Sequence, residues 1–386
     1  MSVMKRIIVH PYFIINLLIL FYGCGQNTSQ HKPKVIEIEV DSIIDVGISN
    51  FAKKIKIFDI SSIKTSCNNI DAAYGVEDNL LVIDRPEFNV YLLDNYGNAQ
   101  QFIYNKIDLA TNKEDVFNMK SRSVSVDDNN KEIICWDGGL NYFSFTGEYL
   151  NRLAFPEQIV DCIGTMILNN GHTLSIVDIE KEDRGLYPSL KDTRYYLLYD
   201  DRVSEAKKIS DASSTIFYNI CNLADSYSIH LSSCSDTVFN ISKRDGSCST
   251  KYVFDFGVKA YPHSFASLDC NEQQEFMYSH PELAGGIEHY YESKDYLLLS
   301  FCYDNRRNMF VWNKTNNKKC VCNIVDDIFR SLSVRFVGQS EKSLFVQLND
   351  VNYSSFESKL EKMVPIDLMK KLNDNNTHNL IVELIH

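Results

Sequence analysis

The side chains best suited to chemistry in this chain lie between Phe256 and Tyr291: His263, Asp269, His280, Glu282, Glu288 and His289. Imidazoles and carboxylates hold borderline metals and carry protons at neutral pH, so the stretch could bind a metal or supply an acid-base pair. Its spacing contains no HExxH helix or comparable ligand pattern. The expectation is therefore a polar connection between strands, the kind of segment on which binding surfaces are built.

Eleven cysteines form the second chemical resource. Cys24 stands apart near the N-terminus; the other ten are Cys67, Cys135, Cys162, Cys221, Cys234, Cys248, Cys270, Cys302, Cys320 and Cys322. Their even number would permit full pairing in an oxidising compartment. Cys135 and Cys302 sit inside apolar runs, where a thiol behaves as a small hydrophobe. Cys234 and Cys248 flank one hairpin and are the expected disulfide. Cys320-x-Cys322 places both sulfurs on one face of a strand, without zinc-finger spacing or a third and fourth ligand close by in sequence. No metal or other cofactor is expected.

Residues 1–23 read as a targeting segment and are set aside from the fold. Lys5 and Arg6 form a positive start, and Tyr12 to Tyr22 is an apolar run broken only by Asn16. That run is shorter than the roughly 20 apolar residues a membrane span needs. It ends in Phe21-Tyr22-Gly23-Cys24, and a small residue directly before cysteine resembles the bacterial lipobox, in which the sulfur is lipidated and the chain is cut in front of it. Cys24 is the expected lipidation site, with Phe21-Tyr22 replacing the usual leucine and small residue. Residues 24–34 are polar, contain Pro33 and read as a flexible tether. They lack an acidic run, which favours a periplasm-facing outer-membrane anchor over surface display.

The remainder, 35–386, must position whatever function there is. Short runs such as "NLLVID", "EIICWD", "HTLSIVDI", "DYLLLSF" and "SLFVQL" are rich in aliphatic residues and bounded by Asp, Asn, Gly or Ser, as strands are. Most precede a hairpin phrase: "NVYLLDNYGNAQQFIY", "LNYFSFTGEYLNRLAF", "RYYLLYDDRVSEAKKIS", "TVFNISKRDGSCSTKYVFDF" and "NMFVWNKTNNKKCVCNI". Turns at Asn95-Tyr96-Gly97, Thr146-Gly147, Arg244-Asp245-Gly246 and Asn316-Asn317 put Gly or Asn where positive φ is cheapest. The period predicts an all-β chain folded as a six-bladed β-propeller. "KIKIFDI" near the start has no local partner, and "NLIVELIH" ends the chain. Pairing them in one blade would close the ring with strands from both termini. One short C-terminal helix is expected near Ser354 to Met363, opened by a Ser354/Glu357 capping box and stopped at Pro365.

The succession "LLVID....FNVYLLDNYGNAQQFI", "KEIICWDGGLNYFSFTGEYLNRL", "NMFVWNKTNNK....NIVDDI" and "NLIVELI" resembles the six-bladed β-propeller lipoproteins of Bacteroidota, related to NHL-type and TolB-like propellers. The likeness covers Val35 to His386. In place of the family's Gly-rich segment after the first full blade stands "YNKIDLATNKEDVF", so any role of that loop does not carry over. The resemblance implies an envelope lipoprotein. Asp41-Ser42-Ile43 and Asp236-Thr237-Val238 match the short acceptor pattern of O-glycosylation in that phylum, which makes Ser42 and Thr237 candidate glycosylation sites.

The formal charge of −12, or −14 once Lys5 and Arg6 are removed, leaves no basic stripe for phosphates, so nucleic acid is not an expected partner. The expected function is a monomeric, non-enzymatic binding or scaffold propeller, held to the membrane by its lipid and presenting loops to a protein, peptide or glycan. The alternative is a metal-assisted hydrolase or lyase that uses the central channel.

Overall fold

The computed structural model describes residues 32–386 apart from 62, 64–68, 85, 95–97, 109–112, 122, 156–158, 180–194, 201, 211–218, 232–234, 269, 332 and 353–376. The expected signal segment, Cys24, most of the expected tether and the expected C-terminal helix thus lie outside the described residues. The folded body runs from Lys34 to His386. It opens with β1 (Lys34–Glu37), β2 (Ile43–Gly47) and β3 (Lys54–Asp59).

Four-stranded antiparallel meanders follow. They are β4 (Ile70–Val76), β5 (Asn79–Asp84), β6 (Val90–Leu93) and β7 (Ala99–Gln101), then β10 (Val124–Asp127), β11 (Glu132–Trp136), β12 (Gly139–Ser144) and β13 (Tyr149–Ala154). Between these two stands a separate hairpin, β8 (Ile103–Asp108) and β9 (Lys113–Asn118), built from the segment that departs from the family pattern. Next come β14 (Ile159–Ile167), β15 (Thr173–Ile179), β16 (Tyr195–Tyr199) and β17 (Arg202–Ser210). They are followed by β18 (Asn219–Asn222), β19 (Ser226–His230), β20 (Thr237–Ser242) and β21 (Cys248–Asp255). β22 (Gly285–Glu292), β23 (Tyr296–Tyr303), β24 (Arg306–Asn313) and β25 (Lys318–Val325) form a further meander. The chain ends with β26 (Val334–Gln339), β27 (Ser343–Asn352) and β28 (Thr377–Ile385). All five hairpin phrases are hairpins, and Gly147, Gly246 and Asn317 take the left-handed conformation their turns require. Repeated four-stranded sheets of this kind are the arrangement of a β-propeller.

In β5, β11 and β23, the second strands of their meanders, both faces are largely apolar because both are covered, whereas β19 buries Ser228 and His230 on one of its faces. In β11, Ile133 and Cys135 pack toward β5 and β6, while Ile134 and Trp136 pack toward β14 and β15. In β23, Leu297 and Leu299 join the core with β20 and β21, whereas Leu298 joins the core with β26 and β27. The same division separates Leu81 and Ile83 of β5 from its Leu80 and Val82. A strand buried on both sides loses the polar alternation of a half-exposed one, which is why these runs read as continuous hydrophobic stretches. Each fully buried side chain of this type contributes about 1.5–3 kcal/mol.

The N-terminal segment is laced across three sheets. β1 adds in parallel to β21, β2 adds in parallel to β25, and β3 pairs antiparallel with β28. The last of these is the pairing expected between "KIKIFDI" and "NLIVELIH". It places Ile57 opposite Val382 and Ile55 opposite Leu384. His378 sits 3.2 Å from Asp59 at one end of the seam, and His386 lies 2.6 Å from the Phe51 carbonyl at the other. The parallel addition of β1 and β2 has no counterpart in the sequence reading. A single parallel bridge, Gly338 to Ala73, joins β26 to β4. A Cβ at Gly338 would stand 1.9 Å from the Ala73 carbonyl oxygen, so only glycine permits that approach.

Candidate functional site

The stretch from Phe256 to Tyr291 is not a polar loop. It folds into a 3-10 turn at Gly257–Lys259, a second at His263–Ser267 and helix α1 (Cys270–Ser279), and then runs into β22. The reason is aromatic packing invisible to pattern reading. Tyr261, Phe265 and Phe276 form a mutual cluster with ring centroids 4.6–5.7 Å apart, and the His280 ring stacks on Phe276 at 4.2 Å. Gln273 donates to the Phe265 and Leu268 carbonyls and ties the helix to the preceding turn. Beneath the cluster, a Cβ at Gly285 would collide with the Tyr261 ring at 2.6 Å. These contacts make the connection a folded cap.

The six side chains picked out in the sequence do not converge there. His263 is exposed at the start of its turn, and His280 is engaged with the Phe276 carbonyl and the Ser279 hydroxyl. Glu288 pairs with Arg307, His289 stacks on Tyr291 at 6.3 Å, Glu282 is exposed and Asp269 lies outside the described residues. Among the described residues, no group of three His, Cys, Asp or Glu is placed to hold a metal ion. Among its exposed and mostly polar side chains the cap presents two large apolar ones. Val258 is 98% exposed and Tyr278 is 66% exposed.

Among the described residues, the densest polar constellation lies between β19 and β21 on one side and β22 and the turn after β24 on the other. Glu292, at the end of β22, is 1% exposed. Its carboxylate takes Lys251 at 2.8 Å and Lys314 at 3.2 Å, and accepts hydrogen bonds from the Tyr252 hydroxyl at 3.0 Å and from the Tyr290 hydroxyl. Lys251 also reaches the Ser228 hydroxyl, and Lys314 donates to the Ser293 carbonyl. The Glu292 amide donates to the Cys221 sulfur at 3.2 Å. Burial alone would raise the Glu292 pKa, but Lys251 and then Lys314 outweigh it and hold the carboxyl down to about 2. Burial, reinforced by the same carboxylate, pushes the Tyr252 and Tyr290 phenols well above their ordinary range.

Ser228 beside Lys251 has the residue types of a serine-lysine nucleophile pair. The geometry opposes that chemistry. Activation needs a neutral lysine as base, whereas Lys251 is held against an ionised carboxylate, and Ser228 is fully buried. A carboxyl this acidic is likewise a poor proton carrier at neutral pH. The constellation acts as a polar staple joining two sheets. Nearby His230 is also buried, its Nε2–H donating to the Ser235 carbonyl at 2.8 Å, and its burial pushes the imidazole down to about 4 against the opposing pull of Ser235 and Asp236. None of these residues has a local sequence signature, since Ser228, Lys251, Glu292 and Lys314 come from separate strands and a turn.

The other sequence candidates are placed as follows. Ser42 is exposed between β1 and β2, and Thr237 is half-buried at the start of β20, its hydroxyl donating to Asp236 at 2.9 Å. Cys248 opens β21 and is exposed, while Cys234 lies outside the described residues. Cys135 is fully buried in a strand, as expected; Cys302 is half-buried.

No family model matches the sequence, and no curated protein matches it. Among solved structures, a Bacteroides fragilis protein described as exported is similar over 92% of this chain and 100% of its own, with a TM-score of 0.60 at 14% identity. Virginiamycin B lyase from Staphylococcus aureus has a TM-score of 0.41 at 9% identity, over 86% of this chain and 99% of its own. The calcium-binding regucalcin of Agrobacterium tumefaciens has a TM-score of 0.40 at 10% identity, over 89% and 95%. With the Bacteroides fragilis protein the chain shares its fold.

Proposed function

We propose that this protein is a lipid-anchored envelope module: a six-bladed propeller that binds a protein, peptide or glycan through the cap between β21 and β22. The cap carries the reading. It is ordered by its own aromatic cluster yet leaves Val258 and Tyr278 uncovered, while the charged groups beneath are closed into a staple. A rigid platform presenting uncovered apolar side chains suits recognition, because little ordering entropy is left to lose on binding.

Six blades are supported by the packing. Hydrophobic clusters join each meander to the next, and a further cluster joins Phe345, Val337 and Ile381 of the last to Ala73, Leu80 and Val82 of the first. The β3–β28 seam then closes the ring without a covalent bond. Cys24 carries the lipid, the tether faces the protein into the periplasm from the outer membrane, and the chain acts as a monomer. Ser42 is the better placed of the two glycosylation candidates, being exposed where Thr237 is half-buried.

The test uses cells making the full chain with a photoreactive residue at position 258 or 278, and at Asp78 as an exposed control. The reading predicts discrete adducts from 258 and 278 and none from 78, in a protein whose N-terminal peptide begins at Cys24 and carries acyl-chain mass that Cys24→Ala removes. Equal adducts at all three positions, or none, would overturn the binding assignment. A wild-type N-terminal peptide without acyl-chain mass on Cys24 would overturn the anchor.

A further inference from the structure

Three sulfurs meet on one face of the β22–β25 sheet. Cys320 and Cys322 are two residues apart in β25, so the strand's period turns both side chains to the same side. Across the ladder, Met309 of β24 is the direct partner of Cys322. Side chains directly opposite in an antiparallel pair have Cβ atoms only about 4.5–5.5 Å apart. All three residues belong to one core between this sheet and β26–β28, with Cys322 buried and Cys320 and Met309 at its half-buried margin. Both thiols are free, and they lie close enough to interact as hydrogen-bonding neighbours.

Thiolate and thioether are soft donors, the set that selects monovalent copper over harder cations. Zinc in a structural site asks for four ligands. A d¹⁰ monovalent ion is satisfied by two thiolates with a weak third donor, which is what this face offers. Cys320, three residues after the Asn317 turn, is the open side of the trio and provides the way in.

We infer that Cys320, Cys322 and Met309 form a binding site for a soft monovalent cation of the Cu(I) class, two thiolates holding the ion and the thioether completing the set. Binding exchanges two S–H protons, released to solvent, for two metal–sulfur bonds. Copper enters and leaves as Cu(I), so no electron is transferred. The site is independent of the cap and would stand if the cap bound nothing.

The mature chain, purified reduced and without oxygen, is titrated with Cu(I) against a colorimetric Cu(I) chelator, and bound ions are counted by native mass spectrometry. The wild type should hold one more ion than the C320S/C322S variant under competition. M309L should keep the ion with affinity lower by roughly tenfold or more, in the range that loss of a supporting ligand costs. As an arm that needs no variant, Cu(I) should protect Cys320 from alkylation in the wild type, read on its own peptide. Equal ion counts in wild type and C320S/C322S, or unchanged alkylation of Cys320, would overturn the site. Recovery of a Cys320–Cys322 disulfide from freshly lysed cells would overturn it in favour of a redox pair.

Discussion

At the scale of single residues, the structure turns on Glu292. Its carboxylate is shared by two lysines and two tyrosines drawn from neighbouring sheets, so Glu292→Gln removes the one negative charge among them. Breaking one side of a buried ion pair costs about 3–5 kcal/mol. Lys251 and Lys314 keep about a fifth of their side chains in water, which favours the low end, about 3 kcal/mol, of that range. Urea unfolding of the variant should show this as a lower midpoint at unchanged slope. The pH dependence has a definite sign. Glu292 has a folded pKa held below its unfolded value, so its contribution is full above about pH 4.5 and is lost as pH falls toward 2. His230 is also depressed, to about 4, so the unfolded chain binds its proton first and stability declines from about pH 6.5 downward. Unfolding free energies measured between pH 7 and 4 should therefore slope down in the wild type and flatten in His230→Gln. None of this was legible in the sequence, where Glu292 is the last letter of "GGIEHYYE" and its lysines lie 41 and 22 positions away. Long-range charge pairing leaves no local pattern.

At the scale of elements, local signals were read well and distant additions were not. Hairpins announce themselves because turn chemistry and alternation are local, and the strands of all five phrases are where the sequence put them. The parallel placement of β1 and β2 is different. Parallel pairing needs no turn, and short exposed strands carry little hydrophobic pattern, so only the folded body shows where they go. Their task is edge protection: β21 and β25 would otherwise present unpaired backbone groups to solvent. A chain beginning at Ile48 loses β1 and β2 but keeps β3. It should fold with a lowered melting temperature and self-associate in size-exclusion chromatography. A chain beginning at Ile60 also loses β3, which removes the buried Ile55, Ile57 and Phe58 and uncovers β28, and should fail to fold by circular dichroism. Similar behaviour of the two truncations would contradict the distinct roles given to β1 and β2 on one hand and the β3–β28 seam on the other. The cap shows the opposite kind of miss. Its residue types were noticed for their chemistry, but Tyr261, Phe265 and Phe276 are spaced too irregularly to predict a packed cluster.

At the scale of the whole molecule, the mostly β architecture was legible because most of the four-stranded sheets repeat one physical requirement, a largely apolar second strand between two covered faces. The repeated residues build the sheets and say little about their use, which is why the functional reading rests on the unrepeated cap. The antiparallel pairing of β3 with β28 joins opposite ends of the folded body in the last sheet, and the proposed closure of the ring depends on it. The most direct test is an Ile57→Cys/Val382→Cys chain, since these two residues are direct partners in the seam. Under mild oxidation, mass spectrometry should recover the 57–382 linked peptide in near-stoichiometric yield from folded protein, with a raised melting temperature because so long a loop has been closed. If the two introduced thiols stay free in folded protein, or link only after denaturation, the seam does not exist as described and the ring is not closed by its termini.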